Sequence, residues 1–224
     1  MAQKSLDCIE IETGDSVEYS VIWLHGLGAS GHDFEPLIPE LHLLKRPGVR
    51  FVFPHAPIRP ITINNGAAMR GWFDITSLNF EQREVDKEGI QQSSEAVMEL
   101  IANEISRGIR VENIVLAGFS QGGAIALQTA ITCEHQVGGV IALSTYLPNA
   151  EILSTMDESR RSLDVFMAHG TQDDVIRILF AERSLEALRT AGIEPEWHTY
   201  EMSHSVSGEE VADLEIWLKR KFGM

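Results

Sequence analysis

The stretch that decides the fold lies near the middle of the chain. Residues 113–132 read Asn-Ile-Val-Leu-Ala-Gly-Phe-Ser-Gln-Gly-Gly-Ala-Ile-Ala-Leu-Gln-Thr-Ala-Ile-Thr. The apolar run before Gly118 predicts a buried strand, and the run from about Gln121 onward predicts a helix. Between them stands Gly-Phe-Ser-Gln-Gly (118–122), a G-x-S-x-G pattern at a strand–turn–helix junction. This is the local context that a nucleophilic serine requires.

Ser120 is the candidate nucleophile of this turn. The flanking glycines let a strained turn pass close to neighbouring backbone, so that the Ser120 hydroxyl projects alone. Its place at a helix N-terminus, where unpaired N–H groups point outward, favours developing negative charge. The alternative is a serine that only caps the helix in a glycine-rich turn. The strand before it and the helix after it favour the nucleophile.

On both sides of residues 113–132, short β-rich runs alternate with longer helical patterns, and no linker or fixed-period repeat interrupts them. Several strands are uniformly apolar, which predicts a mostly parallel central sheet with helices on both faces. The length fits one domain over residues 1–224. The first two strands are predicted to pair across a turn at Gly14-Asp15. The predicted strands are 6–11, 17–24, 49–53, 114–117, 140–143, 165–168 and 196–200, and the predicted helices are 33–44, 87–107, 121–132, 177–191 and 208–222.

Residues 54–85 do not follow this alternation. They hold several prolines and glycines together with aromatic residues, and they show no sustained period. A loop of that length inside a compact domain is usually functional. We therefore expect this region to form part of a pocket.

A serine hydroxyl is a poor nucleophile without a base beside it, and in this architecture the acid and the histidine follow the serine in that order. His-Gly-Thr-Gln-Asp-Asp (169–174) comes directly after a predicted strand, so that Asp173 and Asp174 are both candidate acids. Met-Ser-His-Ser (202–205) follows the next strand and offers His204. His204 would take the serine proton and return it to the leaving group, while the acid holds the imidazole in place.

A hydrolase of this kind also needs two N–H donors for the oxyanion of the tetrahedral intermediate. The residue after the nucleophile supplies one donor, here Gln121, and an early strand-to-helix loop supplies the other. His-Gly-Leu-Gly (25–28) follows an apolar run and places the second donor at Leu27. The alternative is that its glycines only turn the chain. We interpret His25 and His169, each followed by glycine, as loop-shaping residues.

Composition narrows the remaining function classes. The chain has 224 residues, 44% of them hydrophobic and 23% charged, with a net charge of −15 at pH 7. This is the composition of a globular protein, and its acidity disfavours nucleic-acid binding. No run approaches the roughly 18 apolar residues of a membrane span, and the N-terminus lacks the apolar stretch of a signal peptide. Cys8 and Cys133 are expected to be free thiols, which favours a cytoplasmic protein. No histidine pair has metal-ligand spacing, so that no metal or cofactor is expected.

Seven ordered stretches together resemble the acyl-protein thioesterase and carboxylesterase family, the phospholipase/carboxylesterase group of the α/β-hydrolase fold. The resemblance runs from about Val21 to the C-terminal helix. It implies that Asp173, the fifth residue of His-Gly-x-x-Asp, is the acid rather than Asp174. The stretches are His-Gly-Leu-Gly (25–28), Phe-Pro-His-Ala-Pro (53–57), Gly-Trp-Phe-Asp (71–74), Gly-Phe-Ser-Gln-Gly-Gly (118–123), Leu-Ser-Thr-Tyr-Leu-Pro (143–148), His-Gly-Thr-Gln-Asp (169–173) and Met-Ser-His-Ser-Val (202–206).

The resemblance also implies a substrate class and a pocket. It predicts a serine hydrolase that cleaves carboxylic esters or thioesters through an acyl-enzyme on Ser120, with small acyl esters, lysophospholipids and lipidated proteins as the candidate substrates. The alternative functions are a lysophospholipase activity and a non-catalytic binding protein of the same fold. The assembly can be a monomer or a homodimer. For Trp72, ordinary core packing is as strong a reading as substrate contact. The residues that the resemblance places near the substrate are Met69, Trp72, Tyr146, Leu147 and Val175.

Overall fold

The computed structural model describes residues 5–77 and 85–224, and a seven-stranded sheet forms the centre of this part of the chain. The strands are β1 (Cys8–Glu12), β2 (Val17–Leu24), β3 (Gly48–Pro54), β4 (Ile58–Ile61), β5 (Ala67–Arg70), β6 (Ile114–Phe119), β7 (Gly139–Leu143), β8 (Val165–Gly170) and β9 (Glu196–Tyr200). The strand order across the sheet is β1-β3-β2-β6-β7-β8-β9, and β4 pairs with β5 in a separate two-stranded sheet.

The central sheet is parallel except at one edge. The pairs from β3 through β9 are all parallel, whereas β1 runs antiparallel to β3, with Glu12 opposite Arg50. The predicted pairing of the first two strands across Gly14-Asp15 is therefore wrong. Both edges of β2 are taken by its parallel neighbours β3 and β6, which leaves no free edge for β1. At β3, by contrast, the Arg50 guanidinium lies 2.9 Å from a carboxylate oxygen of Glu12.

Helices cover both faces of the sheet, as the alternation of strands and helices predicts. The helices are α1 (Lys87–Ser106), α2 (Gln121–Thr132), α3 (Ile178–Thr190) and α4 (Gly208–Phe222). Because successive side chains of a strand point to opposite faces, Ile22 and Leu24 pack with α1, α2 and α3, whereas Val21 and Trp23 pack with α4. Each face therefore has its own apolar core.

The helix predicted over 33–44 is present in a different form. Gly31–Leu41 is a 3-10 helix with Pro36 and Pro39 inside it, and the chain turns left-handed at His42 with φ 42°. A proline has no N–H for an i→i−4 hydrogen bond, so that two of them within four residues prevent a regular α-helix. The apolar spacing still places Ile38 and Leu41 in the core.

The 54–85 region is not the structureless loop that its composition predicts. Its described part contains the hairpin β4–β5, joined by a short 3-10 turn at Thr62–Asn64. Asn65 and Gly66 close the hairpin with φ 56° and 73°. Asn-Gly is a strong turn signal, and its two positive φ angles explain why the chain reverses here. Residues 78–84 lie outside the described part, so that the pocket-forming role of the region stays a prediction.

The remaining predicted elements agree with the structure to within about two residues at either end. Cys8 and Cys133 are unpaired. Within residues 5–77 and 85–224, every helix is too short or too polar to cross a bilayer. The carboxyl ends of β2, β6, β8 and β9 lie on one edge of the parallel sheet, and the loops that follow them carry the candidate functional residues.

Candidate active site

Ser120 lies between β6 and α2 in a strained turn. Its φ of 56° and ψ of −121° are outside the regions that ordinary side chains favour. Its N–H donates to the Leu143 carbonyl at 2.9 Å, and the Thr145 hydroxyl donates to its carbonyl at 2.6 Å. The turn is therefore fixed from β7 as well as from its own helix.

Two glycines make this turn possible by their lack of a side chain. A Cβ on Gly122 would lie 2.3 Å from the Leu24 carbonyl oxygen, and one on Gly118 would lie 2.4 Å from the Gly122 carbonyl carbon. Neither contact is sterically tolerable against backbone. The G-x-S-x-G pattern is thus a packing requirement as well as a local conformational one.

His204 contacts Ser120 from the loop that follows β9. Its Nε2 lies 2.9 Å from the Ser120 Oγ, and its Nδ1 lies 2.7 Å from the Asp173 Oδ2. The Phe119 ring packs against the imidazole with centroids 4.7 Å apart. The structure therefore joins three side chains from three separate loops into one hydrogen-bonded chain.

Asp173 is surrounded by donors. Its side chain is fully buried. Its Oδ1 accepts from the backbone N–H groups of Val175 at 2.9 Å and Ile176 at 2.8 Å. Its Oδ2 faces His204 and also His169, whose Nε2 lies 3.3 Å away. Asp174, the other candidate acid, has an exposed side chain.

The charge state of Asp173 follows from these donors. Burial alone would raise the pKa of this carboxyl, but the hydrogen bonds from His169, His204 and the Ile176 N–H outweigh burial and hold its pKa well below the usual range. Asp173 is therefore an anion at neutral pH. An anion in this position aligns the Nδ1–H of His204 and leaves Nε2 free to accept a proton.

The loop carrying His25-Gly-Leu-Gly lies directly beside the serine. A Cβ on Gly26 would lie 3.5 Å from the Ser120 Cβ. His25 is buried, its Nδ1 donates to the Gly26 carbonyl at 2.7 Å, and its Nε2 accepts from the Ala56 N–H at 3.0 Å. Burial lowers the pKa of His25, consistent with these neutral-ring hydrogen bonds. His25 thus shapes the loop that carries Leu27, as its sequence context predicts.

Gln121 connects this loop to α2 through Trp72. Its side-chain oxygen accepts from the Trp72 N–H at 2.7 Å, and its side-chain nitrogen donates to the Phe73 carbonyl at 2.6 Å. The Trp72 indole N–H donates to the His25 carbonyl at 2.8 Å. The backbone N–H of Gln121 belongs to the first turn of α2, where N–H groups have no intrahelical acceptor. We call these contacts among His25, Trp72, Phe73 and Gln121 the Gln121 brace.

The five residues expected near the substrate lie in different environments. Met69 is half-buried, and its sulfur lies 3.8 Å from where a Cβ on Gly28 would be. Val175 is exposed and lies within residues 173–176, which we call the acid loop, and Tyr146 packs with Ile176 and Phe180. The other two are buried in the main core, Trp72 completely, so that their contact with a substrate stays a prediction.

Comparison with known proteins identifies the family. The model of the phospholipase/carboxylesterase family matches residues 6–221. The chain belongs to this family. The family predicted from the seven sequence stretches is thereby confirmed.

The similar proteins extend over nearly the whole chain. Acyl-protein thioesterase 1 of Cryptococcus neoformans var. neoformans serotype D is 36% identical over an alignment of 231 positions that covers 96% of this chain and 97% of that protein. Carboxylesterase SOBER1 of Arabidopsis thaliana is 33% identical over 204 residues, 90% of each protein. The crystal structure of Zea mays acyl-protein thioesterase 2 matches with a TM-score of 0.85 at 25% identity, over 97% of this chain and 99% of that one. This phospholipase/carboxylesterase family member is a hydrolase of the esterase type, and it has the α/β-hydrolase fold.

Three contacts of the site lie beyond what the sequence motifs indicate. They are the contact of His169 with Asp173, the hydrogen bond between the Gln121 side chain and the Trp72 N–H, and the hydrogen bond of Thr145 to the Ser120 carbonyl. The motifs contain all these residues, but they do not say which side chain of one loop meets another loop. Only the His-Gly-x-x-Asp spacing, which puts His169 and Asp173 in one short loop, gives any signal for the first contact.

Proposed function

We propose that this esterase hydrolyses acyl esters and thioesters through an acyl-enzyme on Ser120. The observation that carries the proposal is the hydrogen-bonded chain from the Ser120 Oγ through His204 to Asp173, with distances of 2.9 and 2.7 Å. Nucleophile, base and orienting acid are the three roles that acyl transfer by serine requires.

In the first half of the reaction, His204 Nε2 accepts the Ser120 hydroxyl proton as the Oγ attacks the acyl carbon. The carbonyl oxygen becomes an oxyanion, and the backbone N–H groups of Leu27 and Gln121 are the proposed donors to it. The tetrahedral intermediate then collapses. The bond to the alcohol or thiol breaks, and the leaving group takes the proton from His204.

In the second half, water replaces the leaving group. His204 accepts a proton from the water as its oxygen attacks the acyl carbon, and a second oxyanion forms in the same place. When this intermediate collapses, the proton returns to the Ser120 Oγ and the carboxylic acid leaves. Asp173 remains an anion throughout and stabilises the imidazolium.

The substrate class is inferred from the relatives and the site together. The similar proteins carry the names acyl-protein thioesterase and carboxylesterase, which supports acylated substrates with an oxygen or sulfur leaving group. Three residues are proposed to contact the acyl or alcohol part: Met69, beside the loop of Leu27, Val175, in the acid loop, and Tyr146, which packs against Ile176 of that loop. A lipidated protein fits as a substrate, because only its acyl chain and its sulfur need to enter the site.

The proposal includes the setting of the enzyme. Two unpaired cysteines are typical of a reducing compartment, and from them we infer a cytoplasmic location. A homodimer is the alternative to a monomer. Fractionation of cells that express a tagged chain checks the location. Sedimentation velocity at several concentrations checks the oligomeric state.

A hydrolysis screen tests the proposed reaction. Matched oxygen esters and thioesters of acyl chains from two to sixteen carbons are assayed with the wild type and with Ser120→Ala. We expect turnover by the wild type and a loss on the order of 10⁶ in kcat for the variant, because the covalent route is removed. Residual activity above a tenth of the wild-type kcat in a clean preparation would refute Ser120 as the nucleophile.

A fluorophosphonate probe separates the enzyme from a binding protein of the same fold. Stoichiometric labelling at Ser120, found by mass spectrometry and absent in Ser120→Ala, supports the acyl-enzyme. A folded wild type that binds acyl compounds without labelling or turnover would favour the binding protein. Turnover of lysophospholipids faster than of all simple esters and thioesters would favour the lysophospholipase.

A further inference from the structure

His169 is a buried titratable residue to which the proposed mechanism gives no role. It is the fifth residue of β8, four positions before Asp173, and its side chain is fully buried. Its Nε2 lies 2.7 Å from the Ile176 carbonyl oxygen and 3.3 Å from the Asp173 Oδ2. Within the described residues, its Nδ1 has no hydrogen-bond partner.

These contacts assign the proton on the ring. Carbonyl and carboxylate oxygens only accept, so that a nitrogen facing two of them carries a hydrogen. Nε2 of His169 is therefore a donor shared between the Ile176 carbonyl and the Asp173 carboxylate.

The His169 Nε2 contacts residues at both ends of the acid loop, Asp173 and Ile176. Ile176 donates its N–H to the Asp173 Oδ1 at 2.8 Å, and its carbonyl accepts from His169 at 2.7 Å. His169 thus holds both ends of the loop that runs from Asp173 to Ile176. The same carboxylate oxygen that accepts from His169 also accepts from His204 at 2.7 Å.

We propose that His169 is a positioning residue for the esterase reaction, acting through Asp173, and this inference rests on the function proposed above. Its N–H fixes the Oδ2 in the direction of His204 and takes up part of the carboxylate charge. Without it, the carboxylate is held only through its Oδ1, by the Val175 and Ile176 N–H groups, and the direction of its Oδ2 toward His204 is less tightly fixed.

The role predicts two separate effects. Loose orientation of His204 lowers kcat and leaves KM nearly unchanged, because the fully buried His169 side chain is not accessible to a substrate. A carboxylate that has lost one donor interacts more strongly with an imidazolium, so that His204 is protonated more readily. The acid limb of the kcat/KM profile therefore moves to higher pH. The titratable side chains that the structure places against the Asp173 carboxylate are His169 and His204.

A pair of substitutions tests these effects. His169→Gln places a carboxamide N–H the same number of bonds from Cα as Nε2, whereas His169→Met has similar length and no N–H. We expect kcat to fall roughly ten- to hundredfold in the Met variant, as when the hydrogen-bond partner of a functional side chain is removed in other sites. The Gln variant should recover at least half of that loss on a logarithmic scale. The acid limb is expected to move up by several tenths of a pH unit in the Met variant alone.

Controls separate this idea from loss of fold and from failure of the proposed function. His198→Met, on the neighbouring strand β9, should keep the wild-type kcat. If His169→Met does not fold, as judged by circular dichroism and thermal unfolding, His169→Asn replaces it, since its carboxamide is one bond too short to reach Asp173. A wild type without esterase activity would refute the proposed function. An active wild type whose folded Met or Asn variant keeps kcat and its acid limb would overturn the role of His169, as would equal losses in the Gln and Met variants.

Discussion

Two buried carboxyl groups of this chain differ in charge state: Asp173, in the candidate site, is ionised at neutral pH, whereas Glu210, in the helix that follows His204, is neutral. Asp173, in the loop after β8, accepts from two backbone N–H groups and faces two imidazoles, and its pKa is held well below the usual range despite burial. Glu210, in the first turn of α4, is equally buried, but neither of its carboxyl oxygens has a hydrogen-bond partner among the described residues. Burial raises the pKa of Glu210 to about 8.

The difference teaches that the donors around a carboxyl group, and not its depth, decide whether it is charged. Ser207 and Glu210 have the spacing of a capping box, in which the glutamate reaches back to the N-cap N–H. Only half of the box is formed, since the Ser207 hydroxyl accepts from the Glu210 N–H at 3.1 Å while the Glu210 side chain makes no bond among the described residues. A helix N-terminus favours a negative charge, but here burial outweighs it.

The largest expected effect comes from removing the negative charge of the Asp173 carboxylate, which the surrounding donors stabilise. Asp173→Asn is expected to lower kcat about 10⁴-fold, because an amide no longer selects the His204 tautomer that can accept the serine proton. Asp174→Asn is the matched control, one residue away and exposed, and should stay within a fewfold of the wild type. Steady-state kinetics on one ester decides between them. A dead 174 variant beside an active 173 variant would reverse the assignment.

An intermediate effect is expected in the pH dependence of stability. The Glu210 carboxyl is protonated in the folded state up to about pH 8, because burial raises its pKa, whereas in the unfolded chain it loses its proton near its ordinary pKa of 4.5. Between these values the folded state holds one more proton, so that the free energy of unfolding falls as pH rises, by at most about 1.4 kcal/mol per pH unit. Above about pH 8 this contribution no longer changes.

Glu210→Gln removes that dependence. Urea unfolding of the wild type and the variant at half-unit steps from pH 4 to 9 should show the wild type losing stability relative to the variant mainly between pH 5 and 8. At pH 7 the two should have nearly the same kcat, because the glutamate is uncharged there and the glutamine matches its shape. Parallel stability curves across this range would show that Glu210 is ionised in the folded protein.

The smallest effect concerns the half-formed capping box. Ser207→Ala removes the hydroxyl that accepts from the Glu210 N–H and is expected to lower the free energy of unfolding by about 1 kcal/mol. Because the Ser207 hydroxyl bonds the Glu210 backbone N–H and not its carboxyl group, the pH dependence of stability should keep the wild-type slope. Chemical denaturation at pH 5 and pH 8 measures both. A flattened slope in this variant would mean that Ser207 also controls the ionisation of Glu210.

Much of the fold was open to prediction from the sequence because it depends on local patterns. Uniformly apolar runs such as 139–143 and helical spacing such as 87–106 specify their elements without reference to distant parts of the chain. Pairing of β1 with β3 is a different matter, since it depends on which sheet edges are free after all other strands are placed. The 3-10 form of Gly31–Leu41 could have been expected from Pro36 and Pro39, and the hairpin β4–β5 from Asn65-Gly66.

The predicted site has a similar limit. Chain order and loop position bring Ser120, Asp173 and His204 together, because each motif ends a strand of the same parallel sheet. The contacts of His169 and the side chain of Gln121 depend on angles between loops, which no spacing in the sequence encodes. For Trp72 the resemblance supplied a place near the substrate, while its full burial and its bond to His25 depend on packing.

The Gln121 brace has a consequence for protein engineering. Because Gln121 holds the Trp72 and Phe73 backbone, and Trp72 in turn holds the His25 carbonyl, the two proposed oxyanion donors belong to one mechanical unit. A chimera that exchanges residues 25–28 or 71–73 alone would separate loops whose hydrogen bonds match only each other. Loop grafts between relatives of this chain should therefore carry both segments and the residue at position 121 together, as a single exchangeable cassette.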